Sequence, residues 1–344
     1  MVAGKRLIIR LPISLPDLTP DRVRVSVGTA AVLGLLRYRL QVPPTTAYIM
    51  TYTEESCLAN CGFCAQARSN FADKTLLSRV IWPDFPITEV LEGFRNPAIN
   101  VLERICVQVI NYPGFVEDTL HLVGLFKEKT SLPVSVDVCP VDSEVLLSLK
   151  TAGADRISIP LDASTPTLFD EVKGRAVKGP YRWDKHIKAL NEAVRVFGEF
   201  KVGSNIIIGL GESEKEAVEL IQKLHDMKVI PVLFAFTPLK GTRLQDHNQP
   251  TIESYRRIQV ARHIITSGWS RLEKMSFDKN GKLAGFGNVD LYTVLSDGAA
   301  FMTTGCPGCN RPFYNERPSG PFYNYPRKLT PSELNTELRE LGLE

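Results

Sequence analysis

Long apolar runs are missing: nowhere do about 18 uninterrupted apolar residues occur, so no membrane-spanning helix is expected. A secretory leader is not expected either, because proline interrupts the short apolar run of "MVAGKRLIIRLPISL" and no small-residue cleavage site follows. Charge of one sign is scarce. The 41 Lys and Arg are interspersed with 38 Asp and Glu, and a net charge of +3 gives no basis for a nucleic-acid or membrane partner. No P-loop, no H-E-x-x-H and no Ser/His/Asp constellation is found. Of the five histidines, His186, His225 and His263 fall in helical stretches among polar residues and read as surface groups. Cysteine is sparse too, with seven in 344 residues. Without a leader these do not read as a disulfide framework. Thiols in a reducing compartment, here taken as the cytoplasm, more often bind metal or do chemistry.

What is present from about residue 47 onward is a rhythm. Short β-branched runs ("AYIMTYT", "RICVQVI", "PVSVDVC", "DRISIPLD", "KVGSNIIIGL", "VIPVLFAFTP") alternate with longer segments of helical period. One helix is expected at 213–227, where Ser213 and Glu216 fit a capping box and Ala217, Leu220, Leu224 and Met227 form an apolar stripe. Another at 251–267 carries Ile252, Tyr255, Ile258, Ala261 and Ile265 on one side. Strand and helix repeating about six times imply right-handed crossovers and a parallel sheet. Strand parity then chooses between a doubly wound sheet and a barrel. Val134, Val136 and Val138 oppose Ser135, Asp137 and Cys139, while Ile105, Val107 and Val109 oppose Cys106 and Gln108. A sheet covered on both faces would be apolar on both, so one polar face points to a lumen that holds a ligand. The expected fold is α/β: a partial (βα)6 TIM-type barrel over residues 47–285. An N-terminal appendage at 1–46 would be a strand or helix over one barrel end, and a C-terminal irregular extension at 286–344 would close with a short capped helix in "TPSELNTELRELG".

The stretch "SCLANCGFCAQ" holds three of the thiols, Cys57, Cys61 and Cys64, spaced C-x3-C-x2-C directly after the first strand. Thiolates are soft ligands suited to zinc and to iron–sulfur clusters. A structural zinc site closes with four ligands, and a cubane cluster has four irons to ligate. Three cysteines leave one iron open to bind and polarise a small molecule. Strand-to-helix loops at the C-terminal face are also where barrel active sites are built. The other reading of the trio is a zinc site completed by a further Cys or His. In its context, "CLANCGFC" resembles the signature of the radical S-adenosylmethionine (radical SAM) superfamily, with Phe63 in the aromatic position, and the likeness runs over roughly residues 45–285. The resemblance implies a [4Fe–4S] cluster on Cys57, Cys61 and Cys64 whose open iron chelates S-adenosyl-L-methionine. In that superfamily, reductive cleavage of the sulfonium yields a 5′-deoxyadenosyl radical that removes hydrogen from an unactivated C–H bond.

By parity Cys106 and Cys139 face the lumen beside Gln108 and Asp137; the alternative is that they are buried structural thiols. "VSVDVCPVDSEVLLSLKTAGADRISIPLD" and "FKVGSNIIIGLGE" resemble the biotin synthase branch of the superfamily. That branch holds an auxiliary, sulfur-supplying cluster deep in its barrel. Two of its cysteine ligands match Cys106 and Cys139, a third falls at Gly203, and its arginine ligand has no counterpart near "SRLEKMSFD". "TTGCPGCNRPFYNE" adds Cys306 and Cys309. Cys106, Cys139, Cys306 and Cys309 thus offer four soft ligands, or three and a spare, for an auxiliary [4Fe–4S] cluster completed by a tail folding back over the barrel. The alternatives are half a zinc knuckle meeting a partner chain, or a loop with two free thiols. Towards SAM, Gly209 and Gly211 in "IIIGLGES" would admit close backbone approach, or simply make a tight turn. Asp162 matches an aspartate near the ribose in the biotin synthase branch, although Pro160 stands where that branch has Asn. Lys178 or Arg182, flanking "GPYRW", would meet the methionine carboxylate or else form surface ion pairs. Tyr52 and Glu55 are expected to support the site rather than react.

These residues point to sulfur insertion at an unactivated carbon. The tail "TGCPGCNRPFYNERPSG" resembles the biotin-synthase-like component of the two-protein, archaeal-type lipoyl synthase. That resemblance implies a homologous companion radical SAM protein, an octanoyl chain on a lipoyl carrier domain as substrate, and an electron donor such as ferredoxin. The alternatives are radical SAM chemistry on a small free metabolite (biotin-type thioether formation or cofactor maturation), and a non-catalytic iron–sulfur or zinc scaffold that engages a partner through Cys306 and Cys309.

Overall fold

The computed structural model describes residues 20–343. In chain order its strands are β1 (Arg22–Val25), β2 (Thr46–Thr51), the two-residue pair β3 (Leu76–Leu77) and β4 (Val80–Ile81), β5 (Asp84–Pro86), β6 (Arg104–Gln108), β7 (Val134–Asp137), β8 (Ala154–Ser158), β9 (Val202–Ile208) and β10 (Val229–Ala235). The helices among and after them are α1 (Val27–Val32), α2 (Ile87–Gly93), α3 (Phe115–Lys129), α4 (Ser143–Ala152), α5 (Pro166–Val172), α6 (Trp183–Phe197), α7 (Glu214–Asp226), α8 (Ile252–Thr266), α9 (Leu291–Leu295) and α10 (Pro331–Glu340). The main sheet runs β10-β9-β8-β7-β6-β2-β1-β5, parallel from β2 to β10 and antiparallel at β1 and β5.

The fold is therefore α/β around a mostly parallel sheet. Regular alternation of strand and helix holds from β6 to α8. It breaks after β2, where the β3–β4 hairpin, β5, α2 and a 3₁₀ turn intervene before β6. The sheet is curved. Tyr48, Cys106, Asp137, Ser158, Asn205 and Phe234, one from each of the six parallel strands, line a single cavity. Laid flat, six strands would span about 24 Å.

Parity sorts the two faces. Ile105, Val107, Val134, Val136, Ile157, Val202, Ile206 and Ile208 are buried in the outer core against the helices, each worth about 1.5–3 kcal/mol when fully buried. α7 starts where expected: Ser213 Oγ accepts from the Glu216 N–H at 3.3 Å and the Glu216 carboxylate accepts from the Ser213 N–H at 2.8 Å. α8 buries Tyr255, Ile258, Ala261 and Ile265, and with them the polar Arg256 and Gln259. His186 departs from expectation. It is 1% exposed, because it shares the inward stripe of α6 with Ala189, Leu190, Ala193 and Phe197. His225 and His263 are half-buried.

Of the described N-terminal residues, Val27, Tyr38, Leu40, Val42 and Pro44 line the cavity. β1 extends the sheet beside β2, and residues 1–19 of the expected appendage lie outside the described residues. The C-terminal segment folds back along the free edge of β10. The Leu233 N–H donates to Thr304 Oγ1 at 2.9 Å and the Ala235 N–H to Asn315 Oδ1 at 3.3 Å, so edge amides are satisfied by tail side chains. α10, with its Thr330–Glu333 capping box, packs on α8 through Glu337 and Arg256. Among the described residues no helix is long and apolar enough to cross a membrane.

Candidate active site

All seven cysteines face one cavity of about 510 Å3. That volume lies within the usual range of small-molecule sites. Cys57, Cys61 and Cys64 sit on the loop that leaves the C-terminal end of β2, and the loop is strapped down on every side. The Gly62 N–H donates to Val172 O at 2.7 Å, and the Leu244 N–H to Gly62 O at 3.1 Å. The Asn70 amide donates to the carbonyls of Cys61 (3.2 Å) and Cys64 (2.8 Å). The Lys74 ammonium donates to the carbonyls of Ala65 (2.8 Å), Ala67 (2.7 Å) and Asn70 (3.3 Å). Such a loop holds its thiols apart in fixed directions. Among the described residues no three Cys, His, Asp or Glu side chains are drawn together as a single ion requires, whereas a cluster is itself several metal atoms wide. Burial pushes all three thiols up, Cys64 to about 12. They become thiolates when a metal centre binds and displaces their protons. The trio, its open side towards the cavity and the soft donors together fit a cluster with one vacant position.

The other four thiols divide. Cys106 on β6 is paired across the ladder with Tyr48 on one side and Ser135 on the other. Its electrostatic neighbours are Cys306, Asp137 and Cys309. Ser135 lies against both the Cys106 and the Cys306 thiols. The Tyr48 hydroxyl, which accepts from the Arg311 N–H at 3.0 Å, lies 3.3 Å from Cys309 Sγ. Asn310 anchors this turn by accepting from the Thr45 N–H at 3.0 Å and donating to Pro43 O at 2.9 Å. Cys106, Cys306 and Cys309 thus form a second trio deeper in the cavity. Cys139 does not join it. It stands beyond the end of β7, against Tyr181, and its charged neighbours are Lys173 and Cys57; burial raises its thiol to about 11. Of the two expected arrangements, four ligands or three and a spare, the geometry favours the second, since Cys139 follows Ser135 by four residues, which carries it to the C-terminal edge of the sheet.

Between the trios lies a small apolar cluster of Tyr48, Met50, Trp82, Ile110 and Tyr112, against which Cys57, Cys106 and Cys309 all pack. Opposite it are polar groups. Asn205 donates to Asp137 at 2.9 Å, and burial raises the Asp137 carboxyl to about 6. Gly203, where a cysteine is absent, also faces this cavity.

Of the residues expected near SAM, Phe63 and Asp162 line the cavity. Asp162 has φ of +66°, a left-handed conformation that non-glycine residues adopt at a cost and that often marks functional positions. Lys178 and Arg182 do not line it. Lys178 is exposed, and Arg182 spends its guanidinium on the carbonyls of Gly179 (3.0 Å) and Tyr181 (2.6 Å) at the start of α6. Gly209 and Gly211 lie outside the cavity wall too. Their turn closes on Glu212, which accepts from the N–H groups of Gly209 (2.6 Å) and Leu210 (3.0 Å), and a Cβ at Gly209 would meet Pro250 Cδ at 2.6 Å. Glycine is required there by packing. A cation that does face the cavity is Lys173, whose Nζ is 2.6 Å from Asp162 Oδ2 and 2.6 Å from Pro160 O. Sequence reasoning missed it, although Lys173 lies a few residues before Lys178. It also missed Arg311, whose guanidinium stacks 3.9 Å from the centre of the Phe234 ring on the cavity wall.

A biotin synthase from Sulfurihydrogenibium sp. is 28% identical over 199 residues, 56% of each chain. One from Magnetococcus marinus is 30% identical over 200 residues, 57% of this chain and 58% of that one. The chain thus spans little more than half the length of these curated relatives. The crystal structure of HydG, a maturase of the [FeFe]-hydrogenase, superposes with a TM-score of 0.52 at 14% identity, covering 64% of this chain and 50% of that one, and supports the fold alone. The sequence profile of the Radical SAM superfamily matches residues 53–224, a span that opens just before the first cysteine trio and takes in four of the six parallel strands' crossovers. Half of the 344 residues answer to that one description, and the chain belongs to the Radical SAM superfamily.

Proposed function

We propose that this chain replaces a C–H bond by a C–S bond at an unactivated carbon, using a second iron–sulfur centre on Cys106, Cys306 and Cys309 as the sulfur source. One observation carries the reading: two separate thiol trios face the same cavity, one at the C-terminal edge of the sheet and one deeper. The superfamily's SAM and [4Fe–4S] cluster supply, when bound, a radical able to abstract hydrogen from carbon. The rest falls to this chain. Cys57, Cys61 and Cys64 hold the cluster and leave one position free. Lys173 has one N–H beyond its two partners for an anionic group, and Asp162 keeps a second oxygen for a hydroxyl. Met50, Trp82 and Ile110 keep water from the space between the trios.

The biotin synthase relatives support sulfur insertion as the reaction class. The finer reading is an octanoyl chain on a lipoyl carrier domain, thiolated with the help of a homologous companion radical SAM protein and a ferredoxin-type electron donor. The CPGC tail and the apolar wall beside it support that substrate. The buried Asp137–Asn205 pair favours a second reading, a small free metabolite with a hydrogen-bonding head. Mass spectrometry after anaerobic incubation with SAM, reductant and an octanoylated carrier peptide, with and without a companion protein, tests the finer reading: sulfur incorporation is expected. Exchanging both Cys306 and Cys309 for Ala should abolish thiolated product while 5′-deoxyadenosine still forms. Undiminished thiolation in that double variant would sink the assignment of the second trio.

A further inference from the structure

Two lysines flank the first cysteine trio. Lys74 directs all three of its N–H bonds at carbonyls of the trio's own loop, and among the described residues no carboxylate lies within ion-pair distance of it. Its charge is therefore uncompensated and tied to the backbone between Cys64 and Asn70. Lys173 approaches from the other side. Its side chain is 5% exposed, it follows Val172, whose carbonyl is clamped to Gly62, and it is paired with Asp162. Burying such a pair costs several kcal/mol per ion and is weak evidence for stability.

Charge counting suggests a purpose. Three thiolates around a [4Fe–4S] core of charge about +2 leave a net negative centre, and one added electron makes it more so. In a site screened from water, a neighbouring positive charge acts far more strongly than in bulk solvent. We infer that Lys74 and Lys173 form a cationic cradle that raises the potential at which the metal centre of Cys57, Cys61 and Cys64 accepts an electron. Both are positioning residues; neither needs to touch the reacting atoms. Lys173 lines the same cavity as the three thiols, and Lys74 is bonded to the carbonyl of Ala65, the residue after Cys64. Asp162 lines that cavity beside Lys173 and carries the opposite charge.

The inference rests on the cluster being held by this trio. It is tested in the full chain carrying Cys306→Ala and Cys309→Ala, so that one centre titrates alone. After anaerobic reconstitution, iron and sulfide are counted and the midpoint potential is read by EPR during mediated titration with dithionite, without SAM. Lys74→Met and Lys173→Met should each shift the midpoint to lower potential, Lys74→Arg should restore it, and Asp162→Asn should shift it upward. Midpoints unchanged in both methionine variants with iron content intact, or a downward shift in Asp162→Asn, would overturn the cradle while leaving the cluster assignment standing. Absence of bound iron in the parent chain would overturn both.

Discussion

Exchange of single lumen cysteines separates a three-thiolate second centre from a four-thiolate one. Cys106 and Ser135 are opposite each other in the β6–β7 ladder, so Cys139, four residues further on, is offset from Cys106 by about 13 Å along the strands. A metal–thiolate bond is only about 2.3 Å long, and the intervening space is bordered by Gln108 and Asp137 rather than by another thiol. The charged neighbours of Cys139 are Lys173 and Cys57 at the first trio's end of the cavity, whereas those of Cys106 are Cys306, Asp137 and Cys309. Cys106→Ala leaves two thiolates, too few to hold a cubane; Cys139→Ala leaves the set whole. After anaerobic reconstitution the parent chain should bind about eight irons and eight sulfides, Cys139→Ala about eight of each, and Cys106→Ala about four. A fall to about four in Cys139→Ala, or retention of about eight in Cys106→Ala, would refute the division of the cysteines.

Two further outcomes concern stability. His186 is buried, with Nδ1–H donating to Arg182 O at 2.9 Å and Nε2 unpartnered, and burial with the nearby Lys173 charge holds its pKa down to about 3. The unfolded chain takes up a proton below about pH 6.5 that the folded chain refuses, so stability falls with falling pH at about 1.4 kcal/mol per unit. Asp137 and Glu316, raised by burial to about 6 and about 7, act in the opposite sense, losing stability as pH rises through those values, and are common to both proteins compared. In denaturant unfolding of the metal-free chain, the stability of His186→Leu relative to the parent should therefore rise by roughly 2 kcal/mol between pH 7 and pH 5; identical pH dependence would disprove the buried neutral imidazole. Glu337→Ala removes the carboxylate that faces Arg256 and accepts from the Tyr325 hydroxyl at 2.6 Å. It strands a buried guanidinium and should cost about 3–5 kcal/mol, seen as a lower melting temperature and faster hydrogen exchange across residues 322–340; an unchanged melt would contradict it.

The parallel sheet and the first thiol trio were legible because their signals are local. Parity in "RICVQVI" and "PVSVDVC" separates the outer valines from Cys106 and Asp137, and the structure keeps that separation. C-x3-C-x2-C and C-x2-C each state their own spacing. What depended on three-dimensional offset was not legible. Cys139 shares the parity of Ser135 but not its height, and a pattern of period two carries no height. Lys178 and Lys173 look alike in sequence; only the turn after α5, with Lys178 at φ of +55°, turns one outward and leaves the other at the wall. Gly209 answers to Pro250, 41 positions away in the chain, which no local reading detects. His186 reads as polar surface until the inward stripe of α6 is known.

The turn bearing Cys306 and Cys309 rests against β6 and β2, about 200 residues from Cys106 in the chain. A metal centre bonded to all three would fasten the C-terminal segment to β6. Tying a loop of that length removes roughly 5 kcal/mol of disorder from the unfolded chain on entropic accounting. Iron occupancy and mechanical integrity then become one property. On the proposed sulfur-donor reading, oxidative loss of the deeper centre would end the sulfur supply and, in the same event, loosen the tail along β10.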